Sequence, residues 1–132
     1  MTTTATPRST VVVRVVLAAL AAAVVNTGIA LAASALDDGG IGKGLNPAAY
    51  LSLTIVGFLV AMVGWTLIAR RAPKALRIIV PVALVLSWIP DLLLLTAGAT
   101  AANVIGLMLM HTVVATTVVL VGRRDLRAAP PA

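Results

Sequence analysis

The sequence predicts an all-α fold, a polytopic membrane protein whose four transmembrane helices form an up-and-down bundle. Three observations predict it. The 132 residues are 61% hydrophobic and only 11% charged, against about 25% charged in an ordinary soluble domain. The charges fall in short clusters and leave long uncharged runs between them, the pattern of spans joined by short loops. Once four spans are drawn, nearly all basic residues lie on one side. A single membrane domain, 1–132, is expected, because such loops leave no room for a soluble module.

The first ten residues are polar and Thr-rich, with Pro7 and Arg8, and are expected to form a disordered tail. The first span covers about 13–36. Between Arg14 and Asp37 there are 22 uncharged residues, and about 20 helical residues cross the hydrocarbon. A signal peptide is the competing reading: Arg8 and Arg14 precede an apolar core, and Ala30-Leu31-Ala32 or Ala33-Ser34-Ala35 offers a cleavage site. The run exceeds the roughly 7–15 residues of such a core, which favours a retained helix.

Asp37 to Pro47 is Gly-rich and contains no phosphate-binding pattern, so it reads as a flexible connector. Asn46 is placed to cap the second span, with Pro47 at the first helical position. That span, 48–69, ends in the basic turn Arg70-Arg71-Ala72-Pro73-Lys74. From Ile78 to Gly122 there are 45 residues whose only titratable side chains are Asp91 and His111. One helix of that length would measure about 67 Å, more than twice a hydrocarbon core of about 30 Å. The chain must fold back, and the small, polar stretch Thr96–Asn103 is the weakest point. The third and fourth spans are then about 78–97 and 101–122, followed by a polar tail, 123–132.

Four spans put Arg8, Arg14, Arg70, Arg71, Lys74, Arg77, Arg123, Arg124 and Arg127 on one side, nine of the ten basic residues. Lys43, beside two aspartates, is alone on the other. The positive-inside rule places both termini in the cytoplasm; cleavage after Ala35 would leave the other three spans oriented the same way. Trp65 and Tyr50, near the two ends of the second span, are expected as interfacial anchors.

The net charge of +6 points to lipid headgroups rather than nucleic acid, because the basic residues flank apolar spans. The chain has no cysteine, which removes disulfides, thiol redox chemistry and thiolate ligands together. His111 is the only histidine and lacks the partners a metal site needs. No catalytic residue, metal site or cofactor is therefore assigned.

Helical spacing groups the polar residues. Ala18, Ala22, Asn26, Ala30 and Ala33 share one stripe of the first span, and Gly57, Ala61 and Gly64 form a small-residue face on the second. Leu84, Ser87, Asp91, Leu94 and Gly98 align on the third, and Leu107, His111 and Ala115 on the fourth. Asn26, Ser87, Asp91 and His111 make the candidate intramembrane polar site, in the outer half of the bundle. A carboxylate within the membrane costs roughly 2.5–3.5 kcal/mol on insertion scales, and is a functional candidate for that reason. Pro90 frees the carbonyl of Leu86 beside it. The bland alternatives are a hydrated Asp91 near the interface, or a structural partner for His111 or Asn26. A histidine titrates near neutral pH and can exchange protons with a neighbouring carboxylate, though a lone buried histidine more often bonds across helices. Asn26 reads as interhelical glue.

Gly64-Trp65 before the basic turn, Leu86-Ser87 to Pro90-Asp91, and Leu107-Met108-Leu109-Met110-His111 together resemble an uncharacterised family of small four-helix integral membrane proteins common in actinobacteria. The resemblance spans about Val12 to Arg124. It implies a multi-pass protein of the bacterial plasma membrane and brings no established activity, since the family is a domain of unknown function.

Three function classes follow. The favoured one is a non-enzymatic bundle that binds a partner, a lipid or a small apolar ligand, with a polar site around Asp91. Its partners are the lipid bilayer and either a homo-oligomer or another membrane protein. The alternative is a proton-coupled small-molecule transporter acting as an oligomer, with Asp91 as the protonatable residue. Small multidrug transporters have this size but carry an acidic residue in the first helix, where this chain has only Asn26. The weakest is a membrane enzyme using Asp91 and His111 as an acid–base pair, which requires them about 2.6–3.2 Å apart or bridged by water.

Overall fold

The computed structural model describes residues 8–38, 42 and 44–128, with side chains except at 8 and 125–128. It contains four α-helices: α1 (Arg8–Ala35), α2 (Pro47–Arg71), α3 (Leu76–Leu93) and α4 (Ala101–Ala128). Short 3-10 turns at Pro73–Ala75 and Leu94–Ala97 extend α3 at both ends. Each of the four rods is long and apolar enough to cross a membrane, and together they form an up-and-down membrane bundle.

Two helices outrun the expected spans. α1 starts at Arg8 rather than 13, and α4 continues through Arg123 and Arg124 to Ala128. Apolarity marks what lipid covers, whereas helical hydrogen bonding continues through good helix formers such as Arg and Ala. Residues 8–10 and 123–128 are thus helical, not tail. The expectations for 1–7, for Lys43 and for 129–132 lie outside the described residues.

The helix ends follow from local chemistry. Asn46 caps α2, its Oδ1 accepting from the Ala49 N–H at 2.9 Å, with Pro47 at the first helical position. Such a cap contributes about 1 kcal/mol. At the other end the Ala72 N–H reaches the Ile68 carbonyl at 2.7 Å before Pro73 stops the helix. The fold-back falls where small residues gather. Gly98 adopts a left-handed φ of 87°, open to glycine without steric cost. Its N–H bonds to Leu95 O at 3.2 Å and that of Ala99 to Leu94 O at 3.0 Å, the two bonds of a Schellman motif. Thr100 then caps α4, its Oγ1 accepting from the Asn103 N–H at 3.2 Å. The same hydroxyl donates to Asp37 Oδ1, which ties the α1–α2 connector to the start of α4, where the helix dipole favours a carboxylate.

α4 is the centre of the bundle. α1, α2 and α3 all pack against it, α1 also packs on α2, and α3 touches α2 only slightly and α1 not at all. Within 101–122 only Ala101, Ile105, Leu109, Thr116 and Leu120 of α4 are exposed, one stripe at helical spacing. Two glycines set the close approaches. A Cβ on Gly106 would lie 2.7 Å from the Ala33 Cβ of α1, and one on Gly122 would lie 2.2 Å from the Trp65 ring of α2. Two apolar clusters divide the core. One, toward the connector, holds Ala30, Ala33, Leu45, Tyr50, Leu107 and Met110. The other, toward the basic end, holds Phe58, Met62, Trp65, Leu76 and Val118. Outer faces carry exposed Val, Leu and Ile, such as Val24, Leu31, Val60, Ile78 and Val85, as lipid-facing helices require.

Two expectations are corrected here. Tyr50 and Trp65 are not interfacial anchors: both are buried in the core clusters. Gly122 leaves a space on α4 that the indole fills, and burial of so large a ring outweighs a place at the headgroups. Nor is Gly57-Ala61-Gly64 a packing face. Cβ atoms on Gly57 and Gly64 would meet nothing within 4 Å, because α2 turns Tyr50, Thr54, Phe58, Met62 and Trp65 inward instead.

Candidate polar site

Burial along α3 recurs at Leu76, Val80, Leu84, Ser87, Trp88, Asp91 and Leu94, the face that the spacing assigned, and this face lies on α4. Asp91 is buried there, its side chain 9% exposed against 43% for His111. Nδ1 of His111 lies 3.0 Å from Asp91 Oδ2 and 2.9 Å from the Leu107 carbonyl one turn back on α4. A carbonyl only accepts, so Nδ1 carries the hydrogen and, in the neutral imidazole, Nε2 is an acceptor. The hydrogen is directed at Leu107, and Asp91 Oδ2 receives no directed hydrogen bond. Three residues before Asp91, the indole of Trp88 donates to the Met108 carbonyl at 3.1 Å. These two polar contacts fasten α3 to α4 within one turn.

Asn26 stands apart from this pair. It is fully buried on α1, and its Nδ2 donates to Thr54 Oγ1 of α2 at 2.7 Å, while its Oδ1 has no partner among the described residues. Ser87 donates to the Leu84 carbonyl of its own helix at 2.7 Å. The four candidates therefore divide into an α3–α4 pair, Asp91 and His111, a separate α1–α2 link through Asn26, and Ser87, bonded within α3. Thr54, Trp88 and the Asp37–Thr100 contact were missed by sequence reasoning. Thr54 carried a usable signal, as the one aliphatic hydroxyl in the i, i+4 stripe Tyr50, Thr54, Phe58, Met62.

Because α2 and α3 scarcely meet, a groove of about 570 Å³ opens between them, with α4 as its floor. Gly57, Ala61 and Gly64 line its α2 side, Ala83 and Ser87 its α3 side, and His111 its floor, with Asn26 reaching its wall. The lining is overwhelmingly apolar. Its polar groups include two acceptors, Nε2 of His111, which makes no hydrogen bond to the described residues, and Oδ1 of Asn26, and one unpartnered donor, the indole N–H of Trp65 toward the basic end. Asp91 lies behind His111 and does not line the groove. Among the described residues no three His, Cys, Asp or Glu side chains gather closely enough to hold a metal ion.

A family model described as a family of unknown function, DUF6069, matches residues 6–128. No curated protein and no solved structure matches the chain.

Proposed function

The chain belongs to the DUF6069 family, whose function is unknown, and we propose that it is a non-enzymatic membrane bundle that receives a small amphipathic ligand in the α2–α3 groove. The observation that carries this reading is an otherwise apolar groove whose floor presents His111 Nε2, an acceptor without a partner among the described residues. A hydrogen-bond donor on an apolar body, such as a long-chain alcohol or amine, complements it, since buried acceptors left unpaired are costly. Entry is lateral, from the bilayer. The positive-inside distribution puts both termini in the cytoplasm and the connector outside.

Thermal unfolding in detergent with 1-decanol or decyl methyl ether tests the proposal. The alcohol raises the Tm of the wild type, the ether does not, and His111→Leu abolishes the difference. Equal effects of the two probes overturn the polar half of the reading.

A second reading rests on the Asp91–His111 pair, which is suited to proton-coupled transport by an oligomer. It ranks lower because Asp91 reaches the groove only through His111. Proton flux in liposomes with and without lipophilic cations tests it. A catalytic reading ranks below both: the 3.0 Å approach meets the distance condition for an acid–base pair, but the nearby Ser87 hydroxyl is engaged with its own helix.

A further inference from the structure

A second cavity adjoins the α2–α3 groove, sharing Trp65, Leu76 and Val80 with it, and lies at the basic end, where α3 begins and α4 leaves the bundle. It is a notch of about 420 Å³, lined by Trp65, Leu76, Arg77, Val80, Val119 and Arg123 together with two prolines. We propose that this notch binds an anionic phospholipid, its phosphate between Arg77 and Arg123 and an acyl chain along Leu76, Val80 and Val119.

Four observations converge. The two arginines come from different helices and both are exposed, and neither has an ion pair among the described residues. A guanidinium matches phosphate with two parallel hydrogen bonds, and basic pockets between helices on the cytoplasmic side suit lipid headgroups. Trp65 is 93% buried, 7% being exposed, yet its indole N–H has no partner among the described residues, so the lining side chains offer donors and no acceptor. The turn leading into α3 has no side-chain cap, which leaves the positive end of the helix dipole at the notch. The remaining wall is Leu, Val and Pro, which an acyl chain covers and a free phosphate ion leaves bare.

Native mass spectrometry of the full chain, titrated in detergent with phosphatidylglycerol or phosphatidylcholine, tests this. The expected result is selective phosphatidylglycerol binding, weakened at least tenfold in Arg77→Gln/Arg123→Gln. It is changed less than twofold in Arg70→Gln/Arg71→Gln, which removes the same charge at the same end but outside the notch. Equal loss in both double variants overturns the site in favour of diffuse attraction, and retention in both overturns it outright. Protection from thermal unfolding by glycerol 1-phosphate equal to that by phosphatidylglycerol overturns the lipid assignment. Should the notch variant fail to fold, Trp65→Phe keeps an aromatic ring and removes only the donor. It is expected to weaken phosphatidylglycerol binding at least threefold, and unchanged affinity overturns the proposal.

Discussion

Asp91 and His111 face each other across the α3–α4 seam at 3.0 Å, but the imidazole gives its Nδ1 hydrogen to the Leu107 carbonyl. The only carboxylate between Pro47 and Gly122 thus lies beside a donor committed elsewhere. Asp91→Asn replaces a buried charge by a neutral isostere and is expected to leave stability unchanged or raise it by up to about 1 kcal/mol. His111→Ala leaves the carboxylate without its nearest donor and is expected to cost about 1–2 kcal/mol, the low end of the range for charged groups because the ring is half-exposed. In the Asp91→Asn background that cost should shrink, and the double-mutant cycle in detergent unfolding measures the coupling. Equal costs in both backgrounds would show the two residues to be independent.

Glycines on α2 and α4 should respond in opposite directions. Gly122→Ala drives a methyl into the Trp65 ring and is expected to destabilise by about 1–3 kcal/mol, as overpacking does. Gly57→Ala meets open space and is expected to be neutral or stabilising by up to about 1 kcal/mol, from helix propensity. Chemical unfolding in micelles distinguishes the pair. A neutral Gly122→Ala would mean that the indole does not pack on α4.

The Asn26–Thr54 bond is the polar tie between α1 and α2. Thr54→Val removes its acceptor and is expected to cost about 0.6–1.7 kcal/mol, the range for hydrogen bonds between helices in a membrane. Asn26→Leu/Thr54→Val removes both polar groups and should recover part of that loss, because no buried group is then left unpaired. Thermal melts of the two variants decide it, and a double variant no better than the single one would contradict the argument.

The absence of cysteine makes single-cysteine labelling clean. With an impermeant maleimide on intact cells, a cysteine at Asp38 should label, and one at Lys74 or Arg124 only after lysis. The reverse pattern would invert the orientation that the basic residues imply.

What the sequence revealed was local. Uncharged runs and helical period located four rods, the Asn46 cap, the small α1 stripe, buried at Ala22, Asn26, Ala30 and Ala33, and the Gly98 turn. Helix rotation was not local. Whether Gly57 or Thr54 faces the core depends on where α4 lies, and α4 lies where Gly106 and Gly122 admit its neighbours. Spacing alone therefore turned the wrong face of α2 inward and left Trp65 at the interface. It also grouped Asn26 with Asp91, although α1 and α3 never meet. Depth along a helix is legible from residue counts, whereas the partner across the bundle is not.

The attachment of α3 almost wholly to α4 divides the cohesion of the protein unevenly. Three mutually supporting helices form a unit that opens only as a whole, whereas α3, with one main neighbour and a slight contact with α2 near Leu76, can part from it by breaking little more than a single seam. Cooperative units held by few buried contacts open at lower free energy than the rest. Amide hydrogens of α3 should accordingly exchange ahead of those in α1, α2 and α4. The groove it borders then has one wall that yields more readily than the other.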